Sequence, residues 1–425
     1  MTTVNPYEEK SISKFMILWI GQAISLVGSR LVQFALIWWL TQESGSATIL
    51  AMASLVGLVP QVALGPVIGA LVDRWNRKRI MLVSDGLVAA ASLLLAYLFW
   101  TESVAIWHVF SLLFVRAIGG AFHGPSMLST TSLMVPKKHL TRIQGLNQML
   151  QGGLNIIAAP IGALLLAWIA IVGILFIDVV TALFAIIPLI FMAIPQPLKA
   201  APAEGESESS MGQEIKAGFV YVWQRPGILM VMIMAAMINF LLTPAVSLVP
   251  LLVTEHFKGG PMQYATFEMG VGLGILVGGI ALSIWGGFSK RIYTSLAGII
   301  GIGVGVIAVG LAPSNLFVMA VMGIFVAGFM MPFANGSIQA IMQVIVAPEF
   351  QGRVFTLLGT IAMGMAPLGL IIAGPVADLL GVRFWFALGG VVCLVMGGGA
   401  LFVPAITHIE ERHAFVPTET EVAVV

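Results

Sequence analysis

Long apolar segments without charged residues constrain this chain more than any other feature. Residues 292–348 contain no Asp, Glu, Lys or Arg, although about 20 apolar residues are enough to cross a bilayer as a helix. The whole sequence is 59% hydrophobic and 9% charged, whereas about 25% of the residues of a soluble domain are charged. We therefore expect an all-α integral membrane protein.

Twelve apolar segments are predicted to span the membrane. Two of the divisions between them depend on turn signals, at 312–315 and near 170–173. Since the number of spans is even, both termini are predicted to lie on one side. The predicted spans are 14–40, 46–72, 79–100, 104–134, 142–169, 172–194, 226–254, 264–288, 291–311, 315–346, 353–380 and 383–406.

Lys and Arg are distributed unequally between the two predicted sides. Only Lys258 and Arg383 lie on the outer side and only Arg30 and Arg116 lie within spans, which leaves 16 of the 20 Lys and Arg residues on the inner side. Cytoplasmic segments of membrane proteins are enriched in these residues. Both termini are therefore predicted to be cytoplasmic, in a multi-pass protein of the plasma membrane or bacterial inner membrane.

A polar stretch at 195–224 separates the first six spans from the last six. Its acidic, small-residue composition is typical of a flexible linker, and a short surface helix is predicted at 213–219. We expect one six-helix bundle at 1–194, a second at 225–408 and a cytoplasmic tail at 409–425. Gly-rich and Pro-containing stretches recur in the same order in both halves, and a parallel repeat of this kind places a binding site between its halves.

Polar side chains form stripes along four of the spans. Amides are costly where they face lipid, so the stripes are predicted to face protein or a water-filled cavity. For any single stripe, interhelical hydrogen bonding worth about 0.6 kcal/mol a pair is an equally good interpretation. With two aromatic residues and one histidine, the predicted substrate-binding residues are Gln22, Ser25, Gln33, Phe34, Trp38, His123, Gln151, Asn155, Asn239, Thr243, Asn335 and Gln339.

Ionisable residues inside predicted spans are candidates for proton coupling. Asp178 and Glu268 lie at similar depth near the outer ends of their spans, and Arg30 and Arg116 lie nearer the middle of theirs. Carboxyl groups at such depth form proton relays in pumps and transporters. The alternative is a static ion pair, such as Arg30 with Asp178.

The sequence gives no sign of an enzyme. It has no GxxxxGK[ST] phosphate loop, no His, Asp and Glu cluster with metal-ligand spacing, and no nucleophile with an adjacent base. The single cysteine, Cys393, excludes an intrachain disulfide. We therefore predict neither a cofactor nor a metal, and active transport by this chain would have to draw on an ion gradient.

The loop after the second span carries the most specific motif. Asp73 ends an apolar run, four cations follow within six positions, and Gly65 and Gly69 precede it. This motif resembles the signature loop between helices two and three of the major facilitator superfamily. Residues 116–133, 135–136 and 145–148 are similar to those of the macrolide-efflux and enterobactin-exporter branch. The residues to which the resemblance gives a gating role are Gly65, Gly69, Asp73, Arg74, Arg77, Lys78 and Arg79.

The resemblance implies a fold of two pseudo-symmetric six-helix bundles. It also implies proton-driven antiport that exports amphipathic small molecules, such as drugs, macrolides or siderophores, by alternating access and confers multidrug resistance. The expected partners are substrate, protons and the lipid bilayer but no nucleic acid, and the expected state is a monomer. Two alternatives remain open: a transporter of lipids or lysophospholipids, and a membrane sensor that moves no ligand.

Overall fold

The computed structural model describes residues 12–194 and 219–411, which form helices and turns without a strand. Twelve helices in these ranges are long and apolar enough to cross a membrane, so the predicted all-α class and number of spans are confirmed. Most of the predicted linker and of the predicted surface helix at 213–219 lies outside the described residues.

The twelve helices follow the predicted spans closely. The division predicted near 170–173 lies at 169–170, and the turn predicted at 312–315 does separate two helices. The first six are α1 (Ile12–Ser44), α2 (Ala47–Arg74), α3 (Arg77–Trp100), α4 (Ile106–Met134), α5 (Leu140–Trp168) and α6 (Ile171–Phe191). The last six are α7 (Pro226–Ser247), α8 (Pro261–Trp285), α9 (Arg291–Leu311), α10 (Phe317–Ile345), α11 (Pro348–Leu380) and α12 (Val382–Ala400).

Short turns with local capping residues join several of the helices. Ser46 accepts a hydrogen bond from the backbone N–H of Ile49 at the start of α2, and Asn76 accepts one from that of Arg79 at the start of α3. These side chains satisfy N–H groups that have no partner within the helix. Gly381, between α11 and α12, has a φ of 85°, which a residue without a Cβ adopts at little cost.

The described residues form two compact units. Unit 1 contains residues 12–194 together with 253–269, and unit 2 contains 219–252 together with 270–411. The first turns of α8 therefore belong to unit 1, while the rest of that helix belongs to unit 2. The bundle boundaries drawn from the sequence stay a prediction.

The same helix pairings occur in both units. In unit 1, α1 packs against α5 and α6, and α3 packs against α4 and α6. In unit 2, α7 packs against α11 and α12, and α9 packs against α10 and α12. Each of these four pairings in unit 1 becomes a pairing in unit 2 when six is added to the helix numbers, so the predicted pseudo-symmetric fold is present.

Glycines allow the closest of these helix contacts. A Cβ at Gly21 would meet the backbone oxygen of Phe184 on α6, and one at Gly278 would meet that of Phe329 on α10. Small residues at helix interfaces permit such close approach in membranes. Gly270, Gly274 and Gly278 stand at four-residue spacing on α8, and a Cβ at each of them would meet α10.

Candidate functional site

A buried carboxylate, Asp178 on α6, lies at the centre of unit 1. Its Oδ2 atom accepts hydrogen bonds from Arg116 on α4 and from Ser92 on α3, each at 2.6 Å. Its Oδ1 atom accepts one from Ser29 on α1 at 3.0 Å, and Arg116 also donates to the Ser92 hydroxyl. Asp178 is 0% exposed, so a single carboxylate joins four helices inside the unit.

Asp178 forms its ion pair with Arg116 and not with Arg30, the partner considered from the sequence. Asp178 and Arg116, both predicted to act in proton coupling, are in direct contact. Arg30 is instead exposed and donates a hydrogen bond of 3.4 Å to Gln151 on α5. Buried charges are retained where a partner and further hydrogen bonds compensate them, and Asp178 has both.

A second polar cluster lies on the same helices. Gln22 on α1 donates through Nε2 to Asp85 Oδ2 on α3 at 2.9 Å. The Oε1 atom of Gln22 lies 2.9 Å from Nε2 of His123 on α4, and that nitrogen lies 3.4 Å from Asp85 Oδ1. Gln22 and Asp85 are both buried. Two predicted substrate-binding residues thus meet a carboxylate to which the sequence analysis assigned no role.

The third cluster surrounds Glu268 in the part of α8 that belongs to unit 1. The hydroxyl of Tyr264, one helical turn earlier, donates a hydrogen bond to Glu268, and Arg30 is the cation that faces this carboxyl group. The Tyr264 ring stacks on Phe34 with 4.9 Å between centroids and lies 6.2 Å from Trp38. The structure therefore brings together four residues that the sequence predicts for proton coupling and substrate binding.

The remaining stripe residues have different surroundings. Asn147 accepts a hydrogen bond from the indole of Trp19 at 2.7 Å, and Asn239 donates to the backbone oxygen of Ala235 at 2.9 Å. Ser25 is buried and Thr243 is half-buried. The stripe residues with exposed side chains are Gln33, Gln151 and Asn155 in unit 1 and Asn335 and Gln339 in unit 2.

The loop motif after α2 borders a cavity of about 530 Å³. Arg74 and Arg79 line it together with apolar residues of α3 and α4, and Trp75 stacks on Phe122 of α4. Lys78 donates to the backbone oxygen of Ile190 at 2.8 Å, which places a cation at the carboxyl end of α6 as its dipole favours.

The other predicted gating residues are only partly described. Arg77 is buried, and Gly65 has no described atom within 4 Å of the place a Cβ would take. The surroundings of Gly69 and the side chain of Asp73 lie outside what the structure describes. The gating role of the loop stays a prediction.

Three residues in these clusters were missed by the sequence analysis as site residues: Asp85, Ser92 and Tyr264. Tyr264 precedes the predicted residue Glu268 by four positions, and Ser92 follows Asp85 by seven. Residues at these spacings lie on one face of a helix. Helical spacing from another polar residue was therefore the signal in the sequence for these three residues.

Twelve apolar helices in two units with equivalent pairings are the architecture of a secondary transporter. A sequence model of the Major Facilitator Superfamily matches residues 18–369. The chain belongs to this superfamily and is a multi-pass membrane protein.

Two bacterial efflux proteins are similar to this chain over most of its length. Macrolide efflux protein A of Streptococcus pyogenes is 34% identical over 398 residues, which cover 94% of this chain and 97% of the relative. The multidrug efflux pump Tap of Mycolicibacterium fortuitum is 25% identical, and the match covers 90% of this chain and 94% of the relative. The predicted resemblance to macrolide-efflux members of the superfamily is confirmed.

Solved transporter structures share the fold at low sequence identity. A bacterial homologue of the human lysosomal transporter Spinster, inward-facing and unoccupied, has a TM-score of 0.68 at 16% identity over 96% of this chain and all of the other. A POT family transporter in complex with 5-aminolevulinic acid has a TM-score of 0.69 at 13% identity, covering 95% and 99% of the two chains. These similarities confirm the predicted fold.

Proposed function

We propose that this protein is a proton-coupled antiporter that exports amphipathic small molecules, macrolides first among them, by alternating access. The similarity to a macrolide efflux protein along nearly the whole chain supports the substrate class. Proton coupling is supported by the contacts of Asp178, because this one buried acid bonds to side chains of α1, α3 and α4 from its place on α6.

Protonation of Asp178 would change all of these contacts together. A neutral carboxyl group no longer attracts Arg116 as a charge, and its hydroxyl donates where the carboxylate accepted. A ligand shifts a conformational equilibrium by its difference in affinity for the two states. A proton that binds Asp178 only when the helices are rearranged therefore favours that arrangement.

Glu268 and Arg30 are proposed as a second charged pair in the coupling. They lie beside the stacked rings of Phe34, Trp38 and Tyr264. Apolar and aromatic walls with few polar groups are typical of small-molecule sites. The exposed amides of α1, α5 and α10 are proposed to supply the polar groups that bind substrate.

The loop from Gly65 to Arg79 is proposed to act as the cytoplasmic gate, with Asp73 as its acidic group and Arg74, Arg77, Lys78 and Arg79 as its cations. On this proposal Asp73→Asn slows turnover more than it weakens substrate binding, because the loop is distant from the stripes along the chain. Unchanged turnover in that variant would mean that the loop is not a gate and that its cations only fix the orientation of the helices in the membrane.

The test of the proposed function uses inverted membrane vesicles and radiolabelled erythromycin. An imposed proton gradient, acidic inside, is expected to drive erythromycin uptake by the wild-type protein, and nigericin is expected to abolish it. Asp178→Asn and Glu268→Gln are expected to abolish gradient-driven uptake. Glu255→Gln, which changes an exposed acid close to Glu268 in the chain, is the matched control and is expected to retain it.

Three results would contradict the proposal. Uptake that persists after the gradient is collapsed would remove proton coupling, and uptake of labelled lysophospholipid without uptake of erythromycin would replace the substrate class. Binding of erythromycin without any counter-transport would indicate a sensor.

A further inference from the structure

The clusters at Asp178 and Asp85 are related by a constant offset along three helices. Ser29, Ser92 and Arg116 surround Asp178, whereas Gln22, Asp85 and His123 form the other cluster. The corresponding residues are seven positions apart on α1, on α3 and on α4. The chain direction of α4 is opposite to that of α1 and α3 in the predicted topology, and the offset on α4 is reversed accordingly.

Seven helical residues correspond to a rise of about 10 Å. The Asp85 cluster therefore lies about two helical turns from Asp178, on the side predicted to face the cytoplasm. Ser25, which is buried, lies between Gln22 and Ser29 on the same face of α1. Ser25 is thus the polar residue of α1 that lies between the two clusters.

The two carboxyl groups differ in how their charge is compensated. Asp178 is bonded to Arg116, which keeps its positive charge at any physiological pH. Asp85 is bonded to neutral Gln22, and in the part of the chain that the structure describes its one ionisable partner is His123. A buried charge without a partner is strongly unfavourable. A proton bound by this cluster would compensate the charge of Asp85.

Gln22 fixes the orientation of the histidine. Its Nε2 donates to Asp85, so its Oε1 is the atom that faces His123 and accepts a hydrogen bond from the ring Nε2–H. The added proton then resides either on Nδ1 of His123 or on the carboxyl group of Asp85.

Other charged groups on the surrounding helices lie further along the chain. On α3 the cations are Arg77, Lys78 and Arg79, of which Arg79 is six residues before Asp85. On α4 the nearest cation is Arg116, seven residues before His123. Arg74 of α2 and Arg79 line the same cavity as Ser84 and Phe122. On α6 the acid is Asp178, which is bonded to Arg116. On α1 the cations are Lys14 and Arg30, each eight residues from Gln22. None of these residues forms a described ion pair with Asp85 or His123.

We propose that Asp85, Gln22 and His123 form a second proton-binding site, from which the proton taken up during antiport leaves to the cytoplasm. The proposal rests on the proposed antiport. The proton arrives from the Asp178 side, is bound by Asp85 or His123, and passes to water at the cytoplasmic end, so no other group is consumed.

The test measures proton movement and substrate binding separately. Purified protein in proteoliposomes with internal pyranine reports proton flux driven by an erythromycin gradient, and equilibrium binding of radiolabelled erythromycin reports the substrate site. Asp85→Asn is expected to lower proton flux about a hundredfold, the scale of a positioned proton-transfer group, while the Kd for erythromycin changes less than about twofold. His123→Gln is expected to lower proton flux as well.

The matched control is His108→Gln, which changes the other described histidine of α4. His108 accepts a hydrogen bond from the backbone N–H of Ala105 at 3.0 Å and lies at the opposite end of the helix from His123. This variant is expected to keep the wild-type proton flux.

Infrared spectroscopy supplies a readout that does not depend on transport. The pH difference spectrum of the wild type in nanodiscs is expected to contain a carboxyl or an imidazole band that is absent from the spectrum of Asp85→Asn. Unchanged proton flux in Asp85→Asn and His123→Gln, or a pH difference spectrum that is unchanged in Asp85→Asn, would overturn the second site. If the wild type exports erythromycin without moving protons, the proposed antiport fails instead, and the infrared difference spectrum still decides whether the cluster binds a proton.

Discussion

Arg116 gives the acids of unit 1 their different surroundings. Its guanidinium contacts both Asp178 and Ser92, and no equivalent cation is bonded to Asp85 among the described residues. Asp178 is thus bonded to a guanidinium, whereas Asp85 is bonded to the neutral amide of Gln22 and lies beside His123. The two carboxyl groups are suited to different steps of one proton transfer.

Removal of the Arg116 charge alone is expected to destabilise the protein more than removal of the charges of both Arg116 and Asp178. Arg116→Ala leaves Asp178 buried without its cation, and breaking a buried pair costs about 3–5 kcal/mol. The double variant Arg116→Gln/Asp178→Asn keeps polar groups of similar size without an uncompensated charge, so its thermal unfolding in detergent is expected at a temperature nearer to that of the wild type. Both variants are expected to lose gradient-driven transport.

Differential scanning fluorimetry on the single variants and the double variant completes this cycle. Additive losses of stability from Arg116→Gln and Asp178→Asn would show that the two side chains do not act as a pair. Arg116→Lys is a further control that separates the charge from the donor geometry, since lysine keeps the positive charge but lacks the planar guanidinium.

At the scale of single helices, α1 holds the clusters together. It contributes Gln22 to the Asp85 cluster, Ser29 to the Asp178 cluster and Arg30 to the Glu268 cluster. Its close contact with α6 depends on Gly28, where a Cβ would lie 3.1 Å from the Asp178 Cα and would collide with the Thr181 hydroxyl. The packing of α1 on α6 therefore sets the position of Asp178.

Gly28→Ala is expected to separate α1 from α6. Overpacking of a tight interface costs about 1–3 kcal/mol, and Ser29 would move away from Asp178, so lower thermal stability and slower efflux are expected together. Gly57→Ala on α2 is the matched control, because the place its Cβ would take has no described atom within 4 Å. Equal stability of the two variants would show that the α1–α6 contact is not limiting.

The short helix Pro404–Thr407 is followed by an ion pair at the surface of unit 2. Lys290 and Glu411 are 2.8 Å apart. The hydrogen bond from Lys290 lowers the pKa of Glu411, and the same bond raises the pKa of Lys290. The pair thus adds stability at pH values above the ordinary pKa of glutamate and below that of lysine.

Glu411→Gln is expected to lower the unfolding temperature slightly at neutral pH. The difference from the wild type should vanish as the pH falls through the lowered pKa of Glu411, because both proteins then carry a neutral side chain there. High salt should also remove it, since exposed pairs are screened. Glu43→Gln, on an exposed acid of α1, is expected to show no such pH dependence, and an effect independent of pH in Glu411→Gln would argue against the ion pair.

Element-scale features were largely predictable from the sequence. Apolar length defined the helices, and the turn residues at 312–315 divided a run of 57 residues without charge. The partners of individual side chains were not predictable in the same way. Arg30 and Arg116 both had suitable depth for Asp178, and only the packing of α1 on α6 and of α3 on α4 selects Arg116.

At the scale of the whole molecule, buried charge is unevenly distributed. The buried charged residues of the described chain are Arg77, Asp85, Arg116 and Asp178, and all belong to unit 1. The buried polar residues that the structure describes in unit 2 are Ser and Thr. The helix pairings of the two units are equivalent, but their side-chain chemistry is not. The sequence repeat predicts the equivalent helix pairings. The uneven distribution of buried charge could not be predicted in this way, because it depends on which face of each helix is buried.

The predicted orientation of the molecule can be tested with single cysteines. Cys393 is 1% exposed, so it should react little with a membrane-impermeant maleimide and leave a low background. Ser103 and Ser314 are exposed in loops predicted to lie outside, and Ser289 is exposed in a loop predicted to lie inside, next to Lys290 and Arg291. Ser103→Cys and Ser314→Cys are expected to react in intact cells. Ser289→Cys is expected to react only after the membrane is opened, because the positive loop stays in the cytoplasm.

Labelling of Ser289→Cys in intact cells without labelling of the other two would reverse the orientation, and with it the direction in which the proposed antiporter moves its substrate.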